Sequence, residues 1–457
     1  MSGPAAASMP GRLTAVRRPL GPGPPVDPYA LAGESGIVFD TGARILVGLG
    51  TALIIPLTAG LGSAVGRDRV RRELAAIECH DDVGPAGTGV MAFGALPFDR
   101  TEPTSLIVPR VIYGRDAGGD EWVTLVDVDR LLPLVGARRW LLAHAGVGSA
   151  IGAGGTRCSG TRSALRPLIA PLTTDAHFLA MVGAAVGAID TGSLAKVVLA
   201  RQVDVHTGRP IDVPELLKRW RTLEPNCTVF SMPSPGGRFV GASPELLVER
   251  SGSRVRSRPL AGTTSRSAEA ARSTESGLPG GLLDSSKDAA EHRLVADAIG
   301  EGLAPLCSEL DVPSHPDLVH LHNVVHLGTT ITGTLLGNED GTVPTALELA
   351  AALHPTPAVG GVPATVALET IARLEPQPRG PYAGPVGYVD ARGDGGWVLG
   401  IRAATISGST ARLAAGVGIV HGSEPGAELH EANLKFTAVF HALAPEEHFS
   451  TETSQAG

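Results

Sequence analysis

The stretch WVLGIRAATISGSTARLAAGVGIVHGSEPGAELHEANLKFTAVFHAL, residues Trp397–Leu443, decides the fold. Its first part, Trp397–Val420, is rich in aliphatic and β-branched residues and is predicted to form a β-hairpin that turns at Ser407–Thr410. Its second part, Glu424–Leu443, is predicted to be a terminal helix. Strands that return directly on themselves before a helix favour an α+β protein with largely antiparallel sheets.

The chain upstream of this stretch repeats the same mixture of elements. From about residue 36 to 175, apolar runs alternate with Gly, Pro and Asp turns, so strands are expected to dominate there. From 175 onward, helices and strands are mixed. The predicted elements are a helix at Asp175–Gly192, a strand at Lys196–His206, a helix at Pro214–Leu223, two strands within Gly237–Arg250 and a long helix at Ser285–Leu306.

Both ends of the chain differ in composition from the middle. Residues 1–30 contain many prolines and glycines, and residues 445–457 are polar, so the sequence predicts a disordered leader and a disordered tail. The uncharged stretch Ile45–Gly66 is long enough to cross a membrane. Glycines and a proline interrupt it, however, and two buried strands joined by turns are the preferred interpretation.

Composition excludes several classes of protein. The net charge of −8, with few aromatic residues and no basic stripe, argues against a nucleic-acid surface. The four cysteines are too far apart and too few to form a disulfide scaffold, so a reducing cytoplasm is expected. Only four of the 38 basic residues are lysines, and a lysine differs from an arginine where a deprotonatable amine is needed.

Two predicted helices each carry a pair of acids on one face. Asp288 and Glu291 are three residues apart on the first, and Glu428 and Glu431 are three apart on the second. Like charges at this spacing repel each other unless a cation joins them. A solvated helix face is the simpler interpretation, whereas a site for a hard cation such as Mg²⁺ is the functional one.

Three further charged residues stand in apolar surroundings. Lys196 opens an apolar strand, and Glu245 lies in a break between two strands. Burial favours the neutral forms of both, which suits a base and an acid, although Lys196 can equally extend its amine to the surface. Arg402 is predicted to lie inside a strand, where it either forms a structural salt bridge or binds a carboxylate.

Eight segments, in this order, resemble the chorismate-utilising enzymes, and most closely the isochorismate synthases. The similarity covers about Asp175–Leu443. The segments are AKVVLARQ (Ala195–Gln202), FVGASPELLVER (Phe239–Arg250), SRPLAGTTSR (Ser257–Arg266), SSKDAAEHRLV (Ser285–Val295), LHPTPAVGGVP (Leu353–Pro363), PYAGPVGYVD (Pro381–Asp390), IRAATI (Ile401–Ile406) and GVGIVHGSEPGAELHEANLK (Gly416–Lys435).

The resemblance implies one large α+β domain over residues 31–444, with a variable, strand-rich half to about 175 and a motif-bearing half from 175 to 444. Two mainly antiparallel sheets would pack face to face with helices outside and an active site in a deep cleft. The implied reaction converts chorismate to isochorismate, with Mg²⁺ as cofactor, by attack of water at C2 and loss of the C4 hydroxyl.

The roles implied by the resemblance fall on matching positions of this chain. Lys196 is expected to be the base and Glu245 the acid. The expected metal ligands are Glu291 and Glu431, supported by Asp288 and Glu428. The expected substrate-binding residues are Arg402, Lys435, Gly418, Ile419, Gly262, Thr263, His354, Ala358 and Tyr382.

Relatives with other activities differ at a few positions. Anthranilate synthases typically have glutamine in place of Lys196, and aminodeoxychorismate synthases have lysine where this chain has Ala261. Salicylate synthases share Lys196 but also eliminate pyruvate, and they stay an alternative, although Ala358 favours enzymes that stop at isochorismate. A non-catalytic chorismate-binding subunit is the alternative from another class. We expect a monomer without a glutaminase subunit, nucleic acid or membrane as partner.

Overall fold

The computed structural model describes residues 13–80, 87–127, 138–139, 141, 167–266, 281–322, 324–337 and 341–444. The strands are β1 (Thr14–Pro19), β2 (Ile37–Asp40), β3 (Arg44–Leu49), β4 (Leu53–Leu57), β5 (Glu78–His80), β6 (Met91–Ala95), β7 (Thr104–Val108), β8 (Val111–Asp116), β9 (Glu121–Asp127), β10 (Leu168–Pro171), β11 (Lys196–His206), β12 (Thr228–Ser234), β13 (Gly237–Ser243), β14 (Leu246–Ser251), β15 (Arg254–Arg258), β16 (Leu260–Ser265), β17 (Cys307–Asp311), β18 (Asp317–His320), β19 (Val324–Gly328), β20 (Ile331–Leu335), β21 (Gly361–Val362), β22 (Pro385–Asp390), β23 (Gly395–Leu399), β24 (Ala403–Ser407) and β25 (Thr410–Val420). The α-helices are α1 (Pro28–Ala32), α2 (Ala64–Ala75), α3 (Asp175–Asp190), α4 (Val213–Leu223), α5 (Ser286–Leu303), α6 (Ala346–Leu353), α7 (Ala364–Leu374) and α8 (Pro425–Leu443).

Two large sheets form the body of the protein. The first has the order β10-β11-β25-β24-β13-β12-β2-β3-β8-β9-β1-β5, with β21 also paired to β11. The second has the order β17-β20-β15-β14-β23-β22-β6-β7-β4, and β16, β19 and β18 form a small third sheet. Within the described residues the pairings are antiparallel except between β1 and β5.

The two large sheets pack face to face through a shared apolar layer. Phe39 of the first sheet meets Tyr388 of the second edge-on, with ring centroids 5.5 Å apart. Phe230 and Met232 of the first sheet and Phe93 of the second are fully buried in the same cluster. Helices α3 and α8 cover β11 and β25, while α6 covers β14 and β23. The predicted α+β architecture of a single domain is confirmed.

The N-terminal prediction is wrong in part. Residues Thr14–Pro19 form β1, which pairs with β9 along its whole length and buries Ala15. Helix α1 then begins at Pro28 behind the Asp27 cap. Backbone pairing with a partner strand therefore orders residues 13–29 despite their prolines. Residues 1–12 and 445–457, the rest of the predicted leader and the tail, lie outside the described residues.

The uncharged stretch 45–66 contains two strands, as predicted. Strand β3 belongs to the first large sheet and β4 to the second, and the chain turns between them at Gly50. Over the described ranges, no helix combines the length and apolar character needed to cross a membrane.

Two of the short connections at which the chain crosses between the large sheets carry predicted site residues. Pro244 and Glu245 link β13 to β14, and Gly400–Arg402 links β23 to β24. The prediction that Arg402 lies inside a strand is therefore wrong. Trp397–Leu399 belongs to the second sheet, and Arg402 has a left-handed backbone with φ of 52°. The apolar run is continuous in sequence, but it divides where Gly400 allows the chain to change sheets.

Candidate active site

A cleft opens where the two crossovers meet the ends of β11 and β25. Lys196 is the first residue of β11 and its side chain is only 1% exposed. Its Nζ lies 2.9 Å from Oε1 of Glu291 on α5. The alternative in which Lys196 extends to the surface is excluded, because the amine is held in the interior by a carboxylate.

Gly418 on β25 leaves the room that this ion pair needs. A Cβ atom at position 418 would lie 2.7 Å from Oε1 of Glu291 and 3.1 Å from Cε of Lys196. Both distances are shorter than ordinary carbon contacts, so any side chain here would displace the ion pair. The neighbouring residue, Ile419, is fully buried with its side chain in the apolar core, as strand alternation requires.

Glu245, in the first crossover, is 4% exposed and lines the same cleft. Burial raises the pKa of this carboxyl to about 8, and the positive charges of Lys196 and Lys435 offset only part of that effect. At neutral pH the side chain is therefore mainly protonated and able to donate a proton.

Four carboxylates gather where α5 and α8 begin. Although burial alone would raise it, the ammonium of Lys196 holds the pKa of Glu291 below its ordinary value. Burial raises the pKa of Asp288, and the charges of Glu291 and Glu431 add to the effect. Glu428 is shifted in the same direction by burial and by Glu431. The first two turns of each helix thus bring four carboxylates to the cleft.

This donor set suits a hard divalent cation, because such ions prefer carboxylate oxygens and would neutralise the crowded charges. In this conformation two of the four carboxylates form ion pairs with lysines. Lys196 pairs with Glu291, and the ammonium of Lys435 lies 2.7 Å from the carboxylate of Glu431. Across the described residues, no three acidic or other metal-binding side chains converge at metal-binding distances. The chemistry of the donors fits Mg²⁺, and binding would require the lysines to give way.

Arg402 brings a further positive charge to the same cleft. Among the described residues no carboxylate lies within 4 Å of Arg402, and burial lowers its pKa. Its Nη2 lies 3.3 Å from Nε2 of His326, and Nη1 donates to the carbonyl oxygen of Lys435 at 3.5 Å. The ammonium of Lys435 donates to the carbonyl oxygen of Gly416 at 2.8 Å. A guanidinium without an acidic partner is suited to bind an anionic ligand.

His326 links this arginine to the small third sheet. Its Nδ1 lies 3.1 Å from the carbonyl oxygen of Gly262 and 3.0 Å from the hydroxyl of Thr263. Since a carbonyl only accepts, Nδ1 carries the hydrogen and Nε2 accepts from Arg402. Burial lowers the pKa of His326 to about 3, which keeps the ring neutral. Gly262 has φ of 71° at the bulge that brings its carbonyl towards the ring.

Most of the predicted site residues line this one cleft. They are Lys196, Glu245, Asp288, Glu291, Glu428, Glu431, Arg402, Lys435, Gly418, Gly262, Thr263, Ala358 and Tyr382. Ile419 and His354 do not line it. The ring of His354 is buried, and its Nε2 lies 2.9 Å from the carbonyl oxygen of Phe98.

Three charged or titratable lining residues were not predicted to belong to the site: Lys287, His326 and Arg379. Lys287 precedes Asp288 in a motif already singled out, so its position was a usable signal. Arg379 follows a proline-rich turn with no periodic pattern, and nothing in the sequence indicated that it returns to the cleft.

Comparison with known proteins defines the class to which this fold and cleft belong. The model of the chorismate binding enzyme family matches residues 160–444, and the chain belongs to that family.

Individual relatives agree with this assignment. Isochorismate synthase EntC of Escherichia coli K12 is 36% identical over 351 residues, covering 77% of this chain and 80% of EntC. Isochorismate synthase DhbC of Bacillus subtilis is 42% identical over 262 residues, or 56% of this chain and 64% of DhbC. The structure of MenF, the menaquinone-specific isochorismate synthase from Escherichia coli, is similar with a TM-score of 0.72, 25% identity and 96% coverage of both chains.

Proposed function

We propose that this protein is a Mg²⁺-dependent isochorismate synthase that adds water at C2 of chorismate and removes the hydroxyl from C4. The single observation that carries the proposal is the pairing, in one cleft, of a buried lysine with a carboxyl whose pKa is raised to about 8. Moving a hydroxyl group needs one proton taken from water and one delivered to the leaving oxygen.

Binding of the substrate follows from the acidic and basic residues that line the cleft. Chorismate is a dianion, so a cleft lined by several acids would repel it without a cation. Glu291 and Glu431, with Asp288 and Glu428, would hold Mg²⁺, which would neutralise the acids and supply positive charge for the ring carboxylate. Arg402 and Lys435 would bind the enolpyruvyl carboxylate, aided by backbone amides near Gly418.

The proton transfers are assigned to two residues. The neutral amine of Lys196 removes a proton from water as the water oxygen bonds to C2. The ring double bond shifts, the C4–O bond breaks, and Glu245 gives its proton to the departing hydroxyl, which leaves as water. Lysine and glutamate then exchange protons with solvent to reset the site. For Lys196 to act as the base, its ion pair with Glu291 must first open. Each transfer is worth roughly 10²–10⁴ in rate.

Analysis of the reaction products tests this proposal. Purified protein is incubated with chorismate and Mg²⁺, and the products are separated by chromatography; a parallel reaction contains a chelator. We expect isochorismate as the main product, no turnover with the chelator, and one ¹⁸O atom at C2 when the reaction is run in H₂¹⁸O. Salicylate with an equal amount of pyruvate would favour the salicylate synthase alternative. An aminated product formed only with added ammonia would favour the anthranilate synthase alternative, and the absence of any product would contradict all three.

A further inference from the structure

Among the described residues, the outer edge of β11 has no strand partner between Val198 and Gln202. On this side β21 pairs with Lys196 and Val197, and β10 pairs only from Val203 onward. Between them the amide of Val198 donates to the carbonyl oxygen of Gly360. The carbonyl of Val198 and the amide of Ala200 still need partners, since buried backbone groups are costly to leave unpaired.

Two side chains supply those partners. Glu375, at the C-terminal end of α7, accepts a hydrogen bond from the amide of Ala200 at 2.9 Å. Arg379 donates through Nη2 to the carbonyl oxygen of Val198 at 2.8 Å. The same two side chains form a two-pronged ion pair with each other, through Nε and Nη2 of the guanidinium. Together they take the place of a missing segment of strand.

Arg379 also reaches the wall of the cleft. Its Nη1 donates to the carbonyl oxygen of Val359 at 2.7 Å, and Val359 and Ala358 line the cleft. The guanidinium lies over the ring of Phe98, 4.2 Å from the ring centroid. Phe98 also contacts His354, which meets its ring edge-on. A predicted substrate-binding residue therefore supports this arginine from outside the cleft.

The charge of Arg379 is already satisfied, which separates it from Arg402. The side chains of Arg379 and Glu375 are 2% and 4% exposed, and they neutralise each other. A second anion is not needed to compensate this guanidinium. Its contacts go to backbone on two sides, the strand of Lys196 and the wall at Val359, so its effect on the reaction is indirect.

We propose that the Glu375–Arg379 ion pair is a positioning device for the reaction. It fixes the strand that carries Lys196 against the cleft wall at Ala358–Val359, so that the base and the bound ring keep a constant separation. The inference rests on the proposed function, because it assigns the ion pair a role relative to the base of that reaction.

Replacement of Arg379 by lysine tests the inference. Lysine keeps the charge, but its three N–H groups on one atom cannot reproduce the four hydrogen bonds that the planar guanidinium of Arg379 forms. We expect kcat for isochorismate formation to fall by about 10- to 100-fold, since an error of about 1 Å in placing a reacting group has effects of this size. KM for chorismate should change less than kcat, because Arg402 and Lys435 are untouched. Exchange of the Ala200 amide with deuterium should become faster.

The matched control is Arg412→Lys. Arg412, on β25, forms a two-pronged ion pair with Asp204 of β11, the strand that also carries Lys196. Arg412 is exposed and lies outside the cleft. We expect Arg412→Lys to keep the wild-type kcat. The proposal would be overturned if Arg379→Lys folds and keeps wild-type kcat. It would also be overturned if Arg412→Lys loses as much kcat as Arg379→Lys.

A second variant covers the case in which Arg379→Lys does not fold, since breaking one side of a buried ion pair is strongly destabilising. The double variant Glu375→Gln with Arg379→Met leaves no unpaired charge and keeps an acceptor for Ala200. The same loss of kcat is expected, and wild-type kcat refutes the inference. If neither variant folds, the ion pair serves folding itself and the positioning role is rejected. If the wild-type protein makes no isochorismate, the proposed function fails, and deuterium exchange at Ala200 still tests the ion pair.

Discussion

Replacement of Glu245 by glutamine separates the role of its proton from the role of its shape. Glutamine has nearly the same volume but no titratable proton. We expect kcat to fall by about 10²–10⁴, the usual contribution of a positioned acid. In the wild-type protein, activity should decline as the pH rises through about 8, because the carboxyl then loses the proton it must donate.

The stability of the two proteins should diverge over the same pH range. In the unfolded chain this glutamate has an ordinary pKa of 4.5, whereas in the folded protein its pKa is about 8. Below pH 4.5 both states carry the proton. As the pH rises from 4.5 to 8, only the unfolded chain releases it, so the folded wild-type protein loses stability. At about 1.4 kcal/mol per pKa unit, the loss reaches roughly 5 kcal/mol above pH 8.

Denaturant unfolding at several pH values between 4.5 and 9, together with kcat at each pH, measures both effects. The free energy of unfolding of Glu245→Gln should rise relative to wild type by most of that amount across the range. Glu309→Gln, at an exposed strand position, is the control and should follow wild type in stability and activity. If the free energy of unfolding of Glu245→Gln differs from that of wild type by the same amount at every pH, Glu245 is not a buried, protonated acid.

Two other substitutions test the base and the space around it. Lys196→Arg should reduce kcat nearly as much as Lys196→Ala, because guanidinium does not release its proton near neutral pH. The control Lys218→Arg, at an exposed helix position, should leave kcat unchanged. A Lys196→Arg protein with wild-type kcat would contradict the assignment of Lys196 as the base. Gly418→Ala should lower kcat by at least about tenfold with a folded structure, since its Cβ would lie 2.7 Å from Oε1 of Glu291. Gly396→Ala, where the nearest atom is 3.9 Å away, is the matched control, and equal activity of the two glycine variants would contradict the crowding argument.

The spacing of residues in the sequence predicted those parts of the site that lie within a single helix. The spacing of Asp288 with Glu291, and of Glu428 with Glu431, places each pair on one helix face because helical periodicity is a local property. That the two pairs face one cleft depends on tertiary packing, and only the resemblance to a family indicated it. The roles assigned to these residues remain predictions.

The features of the fold and site that the sequence did not predict depend on contacts between segments that are far apart in the chain. The apolar run around Gly400 is continuous, so its division between two sheets has no local signal. Strand β1 forms because β9 is available to pair with it, which outweighs its neighbouring prolines. The ion pair of Arg379 serves an edge of β11 that is 181 residues away in the sequence. Periodicity and composition carry no information about such partners.

The positions of Glu245 and Arg402 at the two crossovers limit how this chain can change length. Each crossover contains only two or three residues between strands of different sheets. An insertion there would shift the proposed acid or the carboxylate-binding arginine relative to both sheets at once. Surface turns such as Ala117–Asp120, whose hydrogen bonds stay within the β8–β9 hairpin, carry no such constraint and should accept added residues. A scan of single-residue insertions should therefore find that these two crossovers are intolerant, although from length and composition alone they resemble ordinary loops.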